Sequence, residues 1–108
     1  MKPVRLTPKA DGDVDSCFMW IHKDNPSAAI KFIDAVEQIC NTLSKMPSIG
    51  SRHYADISLV RGVRMIAVNN FKNYLLFFLE YESYIDVIRL LHSARDIPEI
   101  LQSKSIDL

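Results

Sequence analysis

The run Tyr74-Leu75-Leu76-Phe77-Phe78-Leu79-Glu80-Tyr81 is apolar at both parities of a strand, with Glu80 as its one charge. Successive side chains of a strand point to opposite faces, so such a run is stable only where both faces are covered. It predicts a central strand with one layer above it and another below. Pairing partners stand on either side of it in the sequence. Val63 to Val68 places Arg64, Ile66 and Val68 on one face and Val63, Met65 and Ala67 on the other. Ile85 to Leu91 follows a short Glu82-Ser83 turn, and Asn69 to Asn73 reads as the turn between the first two strands.

The first half supplies the cover. Val4 and Leu6, alternating with Arg5, form a short first strand, and Thr7-Pro8 starts a helix with a capping hydroxyl and a proline whose missing N–H costs nothing at the first position. Val14, Cys17, Phe18 and Ile21 recur at i, i+3, i+4 and i+7 as one apolar face, while Asp11, Asp13 and Asp15 suit the N-terminal end of the dipole. Gly12 weakens the first turn. Trp20 lies off the apolar face by helical angle, as a flank of the core or an exposed contact, the core flank being expected. Asp24-Asn25-Pro26 ends this helix and begins another, because the residue before proline leaves the α region while Asn25 caps. The second helix carries Ala29, Phe32, Ile33, Val36, Cys40 and Leu43 on one stripe and closes at Met46-Pro47. Pro47 to Ser58 reads as a loop, and a brief helix runs from about Ile97 to Gln102 with Pro98 in its first turn. The expected fold is α+β, in the order β-α-α-β-β-β. A helical hairpin packs on a mostly antiparallel sheet of about four strands, and a short C-terminal helix follows.

A chain of 108 residues has room for one modest core, so residues 1–108 are expected to form a single domain. Thirteen basic and thirteen acidic residues balance, which removes long-range attraction as a route to nucleic acid, and no sequence-specific nucleic-acid binding is expected. Locally the charge is uneven. Arg52, Arg61, Arg64 and Lys72, with His53, stand against Asp56 alone, whereas Lys9 to Lys45 holds four basic and six acidic residues. An anion-facing surface therefore belongs to the second half. Cys17 and Cys40 lack metal-site spacing and fall on apolar helix positions, so they are read as buried thiols in a reducing compartment, with no metal and no cofactor. No leader pattern and no spanning apolar run are present, and a cytoplasmic protein without membrane contact is expected.

Several ordered pieces carry a family resemblance. They are Leu6-Thr7-Pro8-Lys9-Ala10, Asn25-Pro26 with Ala28-Ala29 and Phe32, and Met46-Pro47 with Gly50. The second half adds Gly62 and Arg64, Asn73-Tyr74-Leu75 with Phe77-Phe78, and Leu91-His92 through Ala94-Arg95-Asp96-Ile97. Taken in order, this set resembles the RelE/ParE superfamily of bacterial toxins, and in particular its ParE-like, plasmid-stabilisation branch. The resemblance implies the toxin of a type II toxin-antitoxin pair, silenced by a cognate antitoxin protein that wraps it. ParE-like members poison DNA gyrase, whereas RelE-like members cut mRNA on the ribosome.

Cleavage at a 2′-hydroxyl needs a base, an acid and fixed positive charge on the phosphate. Arg64 and Arg95 are the candidates for the charge and His92 for proton transfer. The RelE branch also places lysines ahead of the arginine strand and a tyrosine in the last helix. Here no lysine lies between Met46 and Phe71 and no tyrosine follows Tyr84. The inventory therefore favours a toxin that acts by binding a target, with Arg61, Arg64, Arg95 and Asp96 as contacts to target or antitoxin. The plainer alternative makes the arginines ordinary partners of Asp56, Glu80 or Asp96, and His92 a group that satisfies backbone. A ribosome-dependent endoribonuclease is the second reading. A non-toxic partner-binding module of the same fold is the third, in keeping with Gly12, with Ser93 where the branch has glycine, and with the neutral net charge.

Overall fold

Thr7 joins strand to helix and fastens both to the sheet. Its N–H donates to the Val87 carbonyl at 3.0 Å, its hydroxyl donates to the Ile88 carbonyl at 3.2 Å, and the same oxygen accepts from the Ala10 N–H. Strand β1 (Val4–Leu6) thus runs directly into helix α1 (Pro8–Asp24), with Pro8 in its first turn. Asn25 does the corresponding work at the other end. Its N–H closes α1 on the Ile21 carbonyl, and its side-chain oxygen accepts from the Ala28 N–H at 3.1 Å to open α2 (Pro26–Lys45). The turn of the helical hairpin is one residue long, as a capping Asn followed by proline allows. The computed structural model describes residues 1–55 and 61–102, so Asp56 and the end of the Pro47 to Ser58 loop lie outside the described residues.

Beyond the loop come β2 (Arg64–Val68), β3 (Phe71–Glu80), β4 (Ile85–His92) and α3 (Ile97–Gln102). The sheet order is β1-β4-β3-β2, with β1 parallel to β4 and the other pairs antiparallel. The α+β order read from the sequence is the order found. The turn before β3 is shorter than Asn69 to Asn73, because Phe71 already pairs with Val68. Asn70 adopts φ 66°, the left-handed conformation that asparagine tolerates, and closes the turn in two residues. Gly50 takes φ +109° where the loop passes β2, and a Cβ there would stand 3.0 Å from the Met65 carbonyl oxygen, so only glycine fits. Its neighbour Ser51 exchanges two backbone hydrogen bonds with Met65 along the outer edge of β2.

Strand β3 is covered on both faces, as its composition demands. On one side Tyr74, Leu76 and Phe78 join Phe32, Val36 and Leu43 of the hairpin, with the Phe32 ring edge-on to Phe71 and Tyr74 at 5.3 and 5.1 Å. On the other, Phe77 and Leu79 meet Val63, Ile88, Leu91, Ile97 and Leu101. Two expectations for α1 need correction. Phe18 is only half-buried and lies outside the main core, against the His22 ring. Trp20 is 66% exposed and does not flank the core. Helix α1 lies near one end of the sheet, so the arc it buries is narrow and centred on Ala10, Val14, Cys17 and Ile21.

Candidate functional site

Strand β4 outruns β1. Their pairing ends at Leu6 and Val87, and past that point the edge of β4 is covered by the start of α1. Asp13 accepts from the Leu90 N–H at 3.0 Å and from Arg89 at 2.7 and 3.0 Å, a bidentate contact. The Arg89 side chain is buried, at 8% exposure, and that of Asp13 is mostly covered, at 12%. A bulge in the β3–β4 register at Ile88 stands immediately before Arg89 and re-aims the chain there. The sequence suggested only a dipole role for Asp13 and no role for Arg89. The available signal was a pair of charges, Asp86 and Arg89, inside the otherwise apolar run Ile85 to Leu91, positions that each demand a partner.

A pocket of about 480 Å³ opens beside this ion pair. One wall is α1, through Asp13, Ser16, Cys17 and Trp20; the other is the paired ends of β3 and β4, through Tyr74, Leu90 and His92. Ala94 and Arg95, in the turn that leaves β4, complete it. His92 holds that turn: its Nδ1 accepts from the Ala94 N–H at 2.9 Å, its carbonyl accepts from the Arg95 N–H, and its ring stands edge-on to Tyr74 at 4.9 Å. A ring nitrogen that accepts carries no proton, so the neutral imidazole keeps Nε2–H as its donor. Burial holds the Tyr74 phenol above its ordinary value, and it remains a hydrogen-bond donor. Burial also pushes the Cys17 thiol up to about 11, with Asp13 adding to the rise and Arg95 opposing it. A thiol so shifted is a poor nucleophile at neutral pH. Among the described residues no group of three or more His, Cys, Asp or Glu could hold a metal ion.

The other candidates lie elsewhere. Arg64 pairs with Phe78, four residues along β3 from the Tyr74–His92 pair, which is about 13 Å at the usual strand rise. Its guanidinium donates to the Pro47 carbonyl at 3.0 Å and to Glu80 at 3.2 Å. Glu80 is also held by Lys2 at 2.7 Å, and the Lys2 hydrogen bond, ahead of Arg64, keeps its carboxyl below the ordinary range. Arg61 is exposed in the turn ahead of β2, with no ion pair among the described residues. Asp96 accepts from the Glu99 N–H at 3.3 Å and so opens α3, while Arg95 is exposed and unpaired among the described residues. The fold therefore brings His92 and Arg95 together and leaves Arg61 and Arg64 apart from them.

A family model for the ParE toxin of type II toxin-antitoxin systems, parDE, matches residues 4–97, from the first residue of β1 to the first of α3. The chain belongs to the ParE toxin family. A solved structure, the chromosomal ParDE TA system from P. aeruginosa, is similar at a TM-score of 0.71 and 20% identity, over 85% of this chain and 96% of that one. At that identity the likeness shows the shared fold. No curated protein sequence matches the chain. Within this ParE-family fold, the one-residue hairpin turn, the Gly50 approach and the His92 turn all rest on residues that carry the resemblance: Asn25-Pro26, Gly50, and His92 with Ala94-Arg95.

Proposed function

We propose that this ParE-family chain is the toxin of a type II pair, neutralised in the cytoplasm by a cognate antitoxin and acting by binding its target, DNA gyrase, without cutting RNA. The observation that supports this most is the separation of Arg64 from His92 and Arg95. Phosphodiester cleavage needs its charge and its proton-transfer groups around one phosphate. Arg64 stands at the other end of the strands with its guanidinium held by Pro47 and Glu80, and His92 spends one ring nitrogen on its own turn. Among the described residues, Arg61 and Arg95 have no ion-pair partner and offer cations to a carboxylate or phosphate on a target, where guanidinium binds best. Met19 and Ile30 on the two helices, and Met46 after α2, add exposed apolar surface suited to a protein partner.

The experiment is induction of the chain in a bacterium with parallel assays for gyrase-linked DNA breaks and for mRNA cleavage by primer extension. Gyrase-linked breaks without mRNA cuts are expected. Arg61→Ala and Arg95→Ala should weaken toxicity while the fold persists, and His92→Ala should act through stability by roughly 1–2 kcal/mol, the worth of one hydrogen bond and one ring contact. The adjacency of His92 and Arg95 favours the endoribonuclease as the second reading. Cuts in ribosome-bound mRNA that vanish in a folded His92→Ala variant would put that reading first.

A further inference from the structure

The pocket beside α1 has an imbalance of unspent groups. Its one acid, Asp13, is consumed: Arg89 takes both carboxylate oxygens and the Leu90 N–H shares one of them. Its donors are free. Among the described residues the Arg95 guanidinium, the Tyr74 and Ser16 hydroxyls and the His92 Nε2–H make no hydrogen bond. The remaining wall is apolar and flat, from Trp20, the Tyr74 ring and Leu90. Trp20 is the chain's one tryptophan and is 66% exposed, with the Lys23 ammonium 5.3 Å from its ring centroid, and a bound molecule would cover apolar surface that remains open. With Asp13 neutralised by Arg89, Arg95 leaves the lining with one net positive charge.

From these groups we infer that the pocket binds a small monocarboxylic acid with a flat apolar body, of the aryl-acetate class, its carboxylate on Arg95 and its ring against Trp20 and Tyr74. The volume of about 480 Å³ falls in the range of small-molecule pockets, which pair an apolar lining with a few placed polar groups. One guanidinium compensates one charge. A phosphate dianion exceeds it, and a cation is repelled by it. Neutral donors from Tyr74 and His92 complete the carboxylate's acceptor sites without adding charge. The inference shares Arg95 with the proposed target contact, but it rests on the pocket and is tested by ligand binding, without a toxicity readout.

The test uses the full chain at low concentration, with Trp20 emission and titration calorimetry as readouts. Phenylacetate should give a saturable change in both. Acetate, which lacks the ring, should bind at least about tenfold more weakly through lost apolar burial, and 2-phenylethanol, which lacks the charge, and phenethylamine, which reverses it, by a similar factor through the lost charge-assisted hydrogen bond. Arg95→Gln removes an exposed side chain and should weaken phenylacetate by a similar factor while leaving 2-phenylethanol and the melting temperature unchanged. No saturable signal from phenylacetate in either readout, equal binding of acid and alcohol, or an unchanged affinity in Arg95→Gln would each overturn the assignment. Tighter binding of phenyl phosphate than of phenylacetate would overturn its monoanion part.

Discussion

Two ion pairs tie the first elements to β4, and they differ in what surrounds them. Asp86 is buried but its partner Arg5 is 65% exposed and lies over the Tyr84 ring, so water replaces Arg5 readily if it is removed. Arg89 is buried and Asp13 is nearly so, with 8% and 12% of their side chains exposed, so both partners of this pair are largely withdrawn from water. Asp13→Ala strands a buried guanidinium and the Leu90 N–H together, and should cost about 3–5 kcal/mol in urea unfolding, the usual range for breaking a buried pair. Arg5→Ala should cost clearly less. A Cys pair gives the pH test. Burial raises Cys17 and Cys40 from 9.0 to about 11, so the folded state keeps protons that the unfolded state releases. Their contribution is complete below pH 9 and is lost as pH rises from 9 to 11. Melting temperature over that interval should fall less steeply in Cys17→Ala/Cys40→Ala than in the wild type, and a thiol reagent at neutral pH should label the native chain slowly.

At the level of elements, the period of α2 gave its face but not the width of the face. Ala29, Phe32, Val36 and Leu43 are buried as the spacing requires, with Ile33 and Cys40 half-buried. Ala35 and Ile39 are buried as well, because α2 lies against α1 as well as β1 and β2 and so loses a wider arc to packing. Leu43 has no exposed surface. Leu43→Ala should therefore cost roughly 2–5 kcal/mol, measured as a drop in chemical denaturation midpoint with an unchanged slope. Helix α1 shows the converse. The same periodic argument placed Phe18 on the apolar face, yet a helix at the end of a sheet buries only what faces the strands beneath it. The boundaries that were legible are those written in single residues: Thr7 with Pro8, Asn25 with Pro26, and Met46 with Pro47.

For the whole molecule, a type II toxin is expected to gain stability from its antitoxin, since a partner that binds only the folded state raises stability by mass action. The purified product of the neighbouring gene, at about 100 times its dissociation constant, should add roughly 2.7 kcal/mol and raise the melting temperature accordingly. An unchanged melting temperature at saturating partner would count against that product as the antitoxin. Sequence alone determined which segments are helix and strand, that β3 is covered on both faces, and that Thr7 and Asn25 are caps, because those properties follow from the periods of neighbouring side chains and from local backbone chemistry. Only the tertiary structure decided that Asp13 belongs to Arg89, that Trp20 stands at a pocket rim, and that Arg64 is remote from His92 and Arg95. Those relations depend on strand order, on a bulge at Ile88 and on how far β4 extends past β1. Each joins residues far apart in the chain, and no local period encodes which of several charged groups a buried charge will meet.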